Sequence, residues 1–356
     1  MSEHIAADRR AQEPPKPPPS ASWHGDTYYD RPQLKAAPFN AEAVGAYIFL
    51  AGLSGAAALI ATVADLTRGE AARPLVRRGR LLSMLAPVLG APLLVWDLHT
   101  PTRFYNMLRI AKPTSPMSIG TWILMAFTGF AGATAAGEVL GGVWRRLARI
   151  AQVPAALTGA GLATYTAALL SATSTPLWAA APRALAVRFG GSALAAGAAA
   201  LALGERSGRR RRDLDTVALA GLAAELAGIA AASRTYGARG VSEALHSPWG
   251  RAEEIGADGF GALLPFGVLL ANAARGRPAP GFASVAILAG SALLRIAVIA
   301  AGEHSATDPD VSFRFASPQR NRQYPSRAAA AASPSNTSYA PAGSTSTPVR
   351  ASAAAG

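Results

Sequence analysis

Leu81-Leu82-Ser83-Met84-Leu85-Ala86-Pro87-Val88-Leu89-Gly90-Ala91-Pro92-Leu93-Leu94-Val95-Trp96 runs for sixteen residues without a charge and leads directly into Asp97-Leu98-His99-Thr100-Pro101-Thr102-Arg103-Phe104-Tyr105-Asn106-Met107-Leu108-Arg109. The first part is apolar enough to enter a bilayer. The second sets an acid, an imidazole and two arginines against its end. A carboxylate near the bilayer centre costs roughly 2.5 to 3.5 kcal/mol and is seldom kept without a role. The junction therefore reads as chemistry at a membrane surface.

The rest of the sequence fits that frame. Half of the 356 residues are hydrophobic and 15% are charged, against roughly 25% charged in soluble domains. The charges gather between long uncharged windows, the pattern of an all-α polytopic membrane protein. A net charge of +13 invites a nucleic-acid reading, but the arginines stand in short clusters between apolar spans, without aromatic interleaving or a recognition-module pattern. No nucleic acid is expected, and membrane topology accounts for the arginines. With no cysteine, the protein holds no iron-sulfur cluster, covalent haem or disulfide, so redox centres must sit in a partner or a diffusible cofactor. The histidines His4, His24, His99, His246 and His304 avoid the centres of the apolar spans, which argues against a b-type haem and leaves no metal site expected.

Windows near the roughly 20 residues that cross a bilayer fall at about 43–65, 81–98, 117–138, 152–173, 180–204, 213–234, 257–274 and 282–302. Eight crossings place both termini on one side. The fifth window is largely alanine and glycine, and the seventh carries Asp258 and Pro265. Gly52, Gly55, Gly137 and Gly141 suit close helix approach. The expected organisation is a Pro-rich tail over residues 1–38, without the pattern of a cleavable signal peptide, an eight-helix domain over 39–304, and a disordered Ala/Ser/Pro-rich tail over 305–356.

Orientation follows from basic residues, which short cytoplasmic loops concentrate. Arg68, Arg73, Arg77, Arg78, Arg80, Arg145, Arg146, Arg149, Arg206, Arg209 to Arg212, Arg275 and Arg277 make fifteen on one side, against seven on the other. The fifteen mark the cytoplasmic side, so both termini and the Asp97 cluster face outward.

Residues 102–111 alternate bulky apolar groups with arginine and suit a short helix in the interface plane. Pro113-Thr114-Ser115-Pro116 then turns the backbone, and Ser115 or Ser118 caps the third crossing. Glu138, Glu225 and Arg295 lie in or beside apolar windows, where an ionisable group needs a partner or a function. Glu138 is expected in a surface pair with Arg145 and Arg146. Glu225, the deepest, belongs either to a proton path or to a buried pair with Arg295. No phosphate-binding loop, His-Glu-x-x-His or Gly-x-Ser-x-Gly element is present.

Four pieces of the sequence resemble the NrfD/polysulfide-reductase membrane-subunit family: Tyr28-Tyr29-Asp30-Arg31-Pro32 with Leu34-Lys35 leading into Tyr47-Ile48-Phe49-Leu50-Ala51-Gly52-Leu53-Ser54-Gly55; the Asp97 cluster continued through Pro113-Thr114-Ser115-Pro116-Met117-Ser118; Tyr165 with Pro176-Leu177-Trp178; and Leu293-Leu294-Arg295 with Asp308-Pro309. The likeness spans residues 28–310. It implies an eight-helix bundle of two four-helix halves in the bacterial plasma (inner) membrane. Such a bundle binds menaquinone or ubiquinone non-covalently at the outer face, beside a ferredoxin-like iron-sulfur subunit that serves a catalytic subunit, often a molybdenum enzyme.

By that resemblance Asp97 sits at the quinone site, Tyr165 matches a quinone-contacting tyrosine, and Asn40 and Glu42 open the first helix beside quinone. His99 stands where the family usually has glycine. Quinone chemistry needs a hydrogen-bond donor for each ring carbonyl and an acid/base in contact with water. Asp97 and His99 suit the catalytic task, with Asn40, Glu42, Arg103 and Tyr165 as further contacts. Each also has a plainer reading: an interfacial cap or an ion pair with Arg103 or Arg109 for Asp97, solvation for His99, a carboxylate or lipid-phosphate pair for Arg103, and core packing for Tyr165. The expected function is the quinone-reactive subunit of an oxidoreductase complex, not catalytic alone. The alternatives are a secondary transporter and a structural membrane anchor. In relatives the terminal substrate is polysulfide, thiosulfate, nitrite or formate.

Overall fold

The computed structural model describes residues 34–316 except Ala36, Pro38, Phe39, His99 and Ile110. The residues 28–32, the proline-rich tail before them, the tail from 317 onward and the candidate His99 therefore lie outside the described residues. Within them the protein is helical throughout: α1 (Ala41–Arg68), α2 (Arg73–Leu82), α3 (Ala91–Trp96), α4 (Asn106–Arg109), α5 (Pro116–Leu140), α6 (Gly142–Ser171), α7 (Pro176–Ala180), α8 (Pro182–Leu203), α9 (Gly208–Arg239), α10 (Pro248–Arg251), α11 (Leu264–Ala274), α12 (Gly281–Thr307) and α13 (Pro309–Ala316).

Seven helical stretches among the described residues are long and apolar enough to cross a membrane, where the sequence led us to expect eight. The difference lies in Ala41–Trp96, which forms one stretch of 56 residues. Inside it, Gly69 takes φ 51, a left-handed conformation open to glycine at little cost, and starts the 3₁₀ turn Gly69–Ala72. The backbone reverses there, so that α2, the π-helical turn Ala86–Gly90 and α3 pack back along α1.

Sequence signals explain the helix ends. Asn40 Oδ1 accepts from the N–H groups of Glu42 at 3.1 Å and Ala43 at 3.0 Å, which satisfies donors that the first turn leaves open. Ser115 caps α5, its Oγ accepting from Ser118 N, with Pro116 in the first turn where its missing N–H costs nothing. Gly141, read from the sequence as a packing glycine, instead makes the junction between α5 and α6 at φ 68. Helical order also runs past the expected boundary at 304. α12 continues to Thr307, and α13 buries Val311 against Leu177 and Val241.

α1 packs against α6, α8 and α12 and is enclosed along its middle. Small residues permit this: a Cβ built on Gly55 would stand 2.2 Å from the Gly159 carbonyl oxygen of α6. Close backbone approach of this kind supplies van der Waals contact where lipid offers no hydrophobic drive between helices.

Charges are buried at the arginine-rich end. Arg80, 3% exposed, donates to Glu138 Oε1 at 2.6 Å, Asp65 Oδ2 at 3.0 Å and Gln152 Oε1 at 2.8 Å, and Arg73 reaches Glu138 Oε2 at 3.0 Å. The expected Glu138 pair with Arg145 and Arg146 is thus corrected. Those two arginines point outward on α6, whereas α2 lays its arginines against α5. Nearby, Glu205 takes hydrogen bonds from Arg78 and Arg210.

Candidate functional site

At the opposite end of the bundle, Asp97 closes α3, its N–H donating to Leu93 O at 3.0 Å. The residue is half-buried, and its charge acts on Tyr47 of α1 and Glu303 of α12. Tyr47 is coupled in turn to Tyr165 of α6. The Tyr165 ring rests on the bare backbone of Gly120 in α5, and its hydroxyl donates to the Pro116 carbonyl. One acid and two phenols from separate helical segments therefore share one end of the bundle with the Glu303 carboxyl.

Beside them opens a cavity of about 560 Å³ between the start of α1 and the end of α12. Asn40, Glu42, Trp249, Glu303 and His304 line it. With Asn40 Oδ1 engaged by the helix cap, Nδ2 is the donor that the side-chain amide has left. Glu303 Oε1 is shut off from solvent and has no hydrogen-bond partner among the described residues, a costly condition for a buried acceptor unless something else meets it. The lining combines a donor, acids, an imidazole and an indole wall, and its volume lies in the roughly 300 to 1,000 Å³ range of small-molecule sites.

The sequence-derived candidates divide accordingly. Asn40 and Glu42 line the cavity, whereas Asp97 and Tyr165 stand outside its lining, Asp97 close enough for its charge to act on Glu303 and Tyr165 close to Tyr47. Arg103 lies apart, exposed in the 3₁₀ turn Pro101–Arg103. Among the described residues neither Arg103 nor Arg109 forms an ion pair with Asp97. Residues 102–111 hold that turn and the short α4, largely exposed. Glu303 and His304 escaped the sequence reading as site residues. Their signal was an ionisable pair at the end of an apolar window, on the same side as Asp97.

Glu225 and Arg295 sit deeper. Arg295, 1% exposed, lies eight residues before Glu303 on α12, or about 12 Å along the axis. It donates to Ser192 Oγ at 2.7 Å and Phe189 O at 2.9 Å, and stacks on the Phe189 ring at 4.8 Å. Glu225 of α9 forms no direct ion pair with it. The Ser192 hydroxyl stands between them, in hydrogen-bond contact with both.

A further buried charge was missed from sequence. Arg188, 3% exposed in the middle of the bundle, forms ion pairs with Glu253 and Asp258. Both acids lie on the π-helical segment Ala252–Leu263. Five residues apart, they would point about 140° away from each other on an α-helix. A π-helix, hydrogen-bonded i to i+5, stacks them on one face, and both reach the same guanidinium.

Taken together, the fold and its end-cavity define a multi-pass helical membrane protein with a polar, acid-lined cleft at one membrane face. The family described as "Polysulphide reductase, NrfD" matches residues 34–305, and the protein belongs to it. Over 87 residues it is 31% identical to the C chain of polysulfide reductase from Wolinella succinogenes, an alignment that covers 24% of the present sequence and 27% of that relative. The protein thus spans about a quarter of the length of that curated relative.

Proposed function

We propose that this protein is the quinone-reactive membrane subunit of an oxidoreductase complex and that its quinone headgroup is received in the cavity between α1 and α12. The observation that carries the reading is Glu303, which lines the cavity with Asn40 and Glu42, keeps an Oε1 shut off from solvent without a partner among the described residues, and feels the Asp97 charge. Asn40 Nδ2 offers a donor to a ring carbonyl, Trp249 a flat apolar wall, and Glu303 with Asp97 a pair of carboxyls able to hold or release protons. When bound, a quinone supplies two-electron, two-proton redox chemistry. The protein orients it, excludes water from one side and moves protons between the cavity and the adjacent surface. Tyr47 and Tyr165 hold the inner wall, and Arg103 steers anionic groups at the surface.

In this reading the two legs of Ala41–Trp96 are separate crossings. The domain then has eight, arranged as two four-helix halves over residues 39–304, in a bacterial plasma membrane with the cavity and both termini outside. Electrons come from or go to an iron-sulfur subunit docked on that face, which serves a catalytic subunit, often a molybdenum enzyme. The family and the cysteine-free composition support such a division of labour. Glu225, Ser192 and Arg295 form a buried relay behind the cavity.

The transporter alternative calls for broken helices at matched positions of the two halves. The π-helical interruptions here fall in the second and seventh apolar windows, which are not equivalent positions. The test is Asp97→Asn in the purified complex. Loss of quinone-coupled turnover is expected, with the partner subunits still bound. Full turnover with unchanged quinone affinity would overturn the assignment.

A further inference from the structure

A second cavity, of about 350 Å³, opens on the flank of the bundle at the arginine-rich end, far from the cleft above. Leu59, Val63, Leu194 and Val217 form its partly exposed apolar walls, and Arg68, Arg210 and Asp213 close one end. Leu59 and Arg68 are nine residues apart on α1, or about 14 Å along the axis, close to the roughly 15 Å depth of one hydrocarbon leaflet. The groove is apolar along α1 from Leu59 to Ala64, about 8 Å, and sets Arg68 and Arg210 beside Asp213 where a headgroup would lie.

Three observations at its basic end call for an anion. The first turn of α9 carries Arg209, Arg210 and Arg211 with no acid, which opposes the positive end of the helix dipole unless a negative group is brought to it. Ser207 makes no side-chain cap, so the first N–H groups of α9 lack the usual acceptor. Arg210 Nε is shut off from solvent without a partner among the described residues. The two acids within reach do not meet this need. Glu205 is already shared by Arg78, Arg210 and the Ser207 N–H, and the Arg68–Asp213 pair is 45% and 41% exposed, so it is of little worth and readily exchanged.

We propose that this groove seats one anionic glycerophospholipid, an acyl tail lying along Leu59, Val63, Leu194 and Val217 and the phosphate held by Arg68, Arg210 and the first amides of α9. Lipid phosphate takes the place of Asp213 at Arg68, a charge-assisted and geometrically better contact for a guanidinium. Basic pockets between membrane helices recognise anionic headgroups in this manner. The site is independent of the quinone reading, since it shares no residue with the cleft.

The test uses the full-length protein in detergent, with native mass spectrometry and thermal unfolding in the presence of phosphatidylglycerol, phosphatidylcholine of the same acyl composition, or inorganic phosphate alone. Phosphatidylglycerol is expected to stay bound and raise Tm, with phosphatidylcholine and phosphate doing neither. Arg68→Ala should weaken phosphatidylglycerol binding about fivefold, from the loss of one basic residue near the headgroup, and Val217→Trp should fill the groove and weaken it further. Asp213→Asn should tighten it, an effect that a merely structural role for the pair would not produce. Arg145→Ala, at the same end but off the groove, should change nothing. Equal binding of phosphatidylcholine, equal stabilisation by phosphate alone, or unchanged affinity in Arg68→Ala would overturn the proposal. If Val217→Trp fails to fold, the Arg68, Asp213 and Arg145 variants still decide it.

Discussion

Gly120 and Tyr165 occupy what would otherwise be the same space: a Cβ built on Gly120 stands 2.0 Å from Tyr165 Cζ and 2.3 Å from its hydroxyl. The absence of one side chain on α5 therefore fixes where the phenol of α6 lies. Gly120→Ala must push the ring aside, at about 1 to 3 kcal/mol for overpacking, seen as a lower Tm. On our reading it also weakens binding of a quinone analogue. Tyr165→Phe keeps the ring and loses only the bond to Pro116, about 0.5 to 1.5 kcal/mol. Equal Tm for Gly120→Ala and the parent protein would show that the ring is not held there.

Glu303→Gln removes an ionisable group and keeps its shape. If Glu303 exchanges protons with the bound ring, kcat for quinol oxidation falls by roughly 10²-fold, the low end for general acid–base catalysis, while the Kd of a quinone analogue changes little. Unchanged kcat would exclude Glu303 from proton transfer.

Arg188 is the sole ion-pair partner of Glu253 and Asp258 among the described residues. Arg188→Met strands the buried Glu253 and the part-buried Asp258 and should cost about 3 to 5 kcal/mol, measured by denaturant titration in mixed micelles. Adding Glu253→Gln and Asp258→Leu to it should recover much of that loss, because the stranded charges go with the cation.

Glu205 lies in the loop between α8 and α9. Burial pushes its carboxyl upward, but the Arg210 hydrogen bond, the Ser207 N–H and the Arg78 charge outweigh it and hold it down at about 2. A depressed value favours the ionised folded form. Its contribution to stability is therefore complete above the ordinary carboxylate value of 4.5 and fades as pH falls toward about 2. Tm measured from pH 5 to pH 2 should drop in the parent protein and less steeply in Glu205→Gln. Parallel curves would show that Glu205 does not carry the effect.

Apolar length was the legible part of the fold. Each expected window overlaps a helical stretch, and Ser115 caps the third crossing as its side chain led us to expect, whereas the Asn40 cap was not anticipated. Arg73 to Arg80 misled, because charges were counted as loop. In the fold they form the polar face of α2, and their partners Glu138 and Glu205 come from distant parts of the sequence. Arg188 was invisible for a related reason: a charge inside an alanine-rich window makes sense only once another helix brings it two carboxylates. At the cleft, the sequence pointed to Asn40, Glu42 and Asp97 by likeness to relatives. Glu303 needed three dimensions, since its role follows from the folding of α12 against α1, some 260 residues away in sequence.

The Arg188 pairing bears on how the protein enters its membrane. α8 leaves the ribosome before the segment that carries Glu253 and Asp258, so for a time it holds a guanidinium in or beside lipid with no counter-ion, at roughly 2.5 to 3.5 kcal/mol. Biogenesis therefore cannot be a row of independently settled helices. α8 waits, loosely seated or shielded by the insertion machinery, until the later hairpin arrives and locks it in place, and a product truncated before residue 248 would be left for quality control to find.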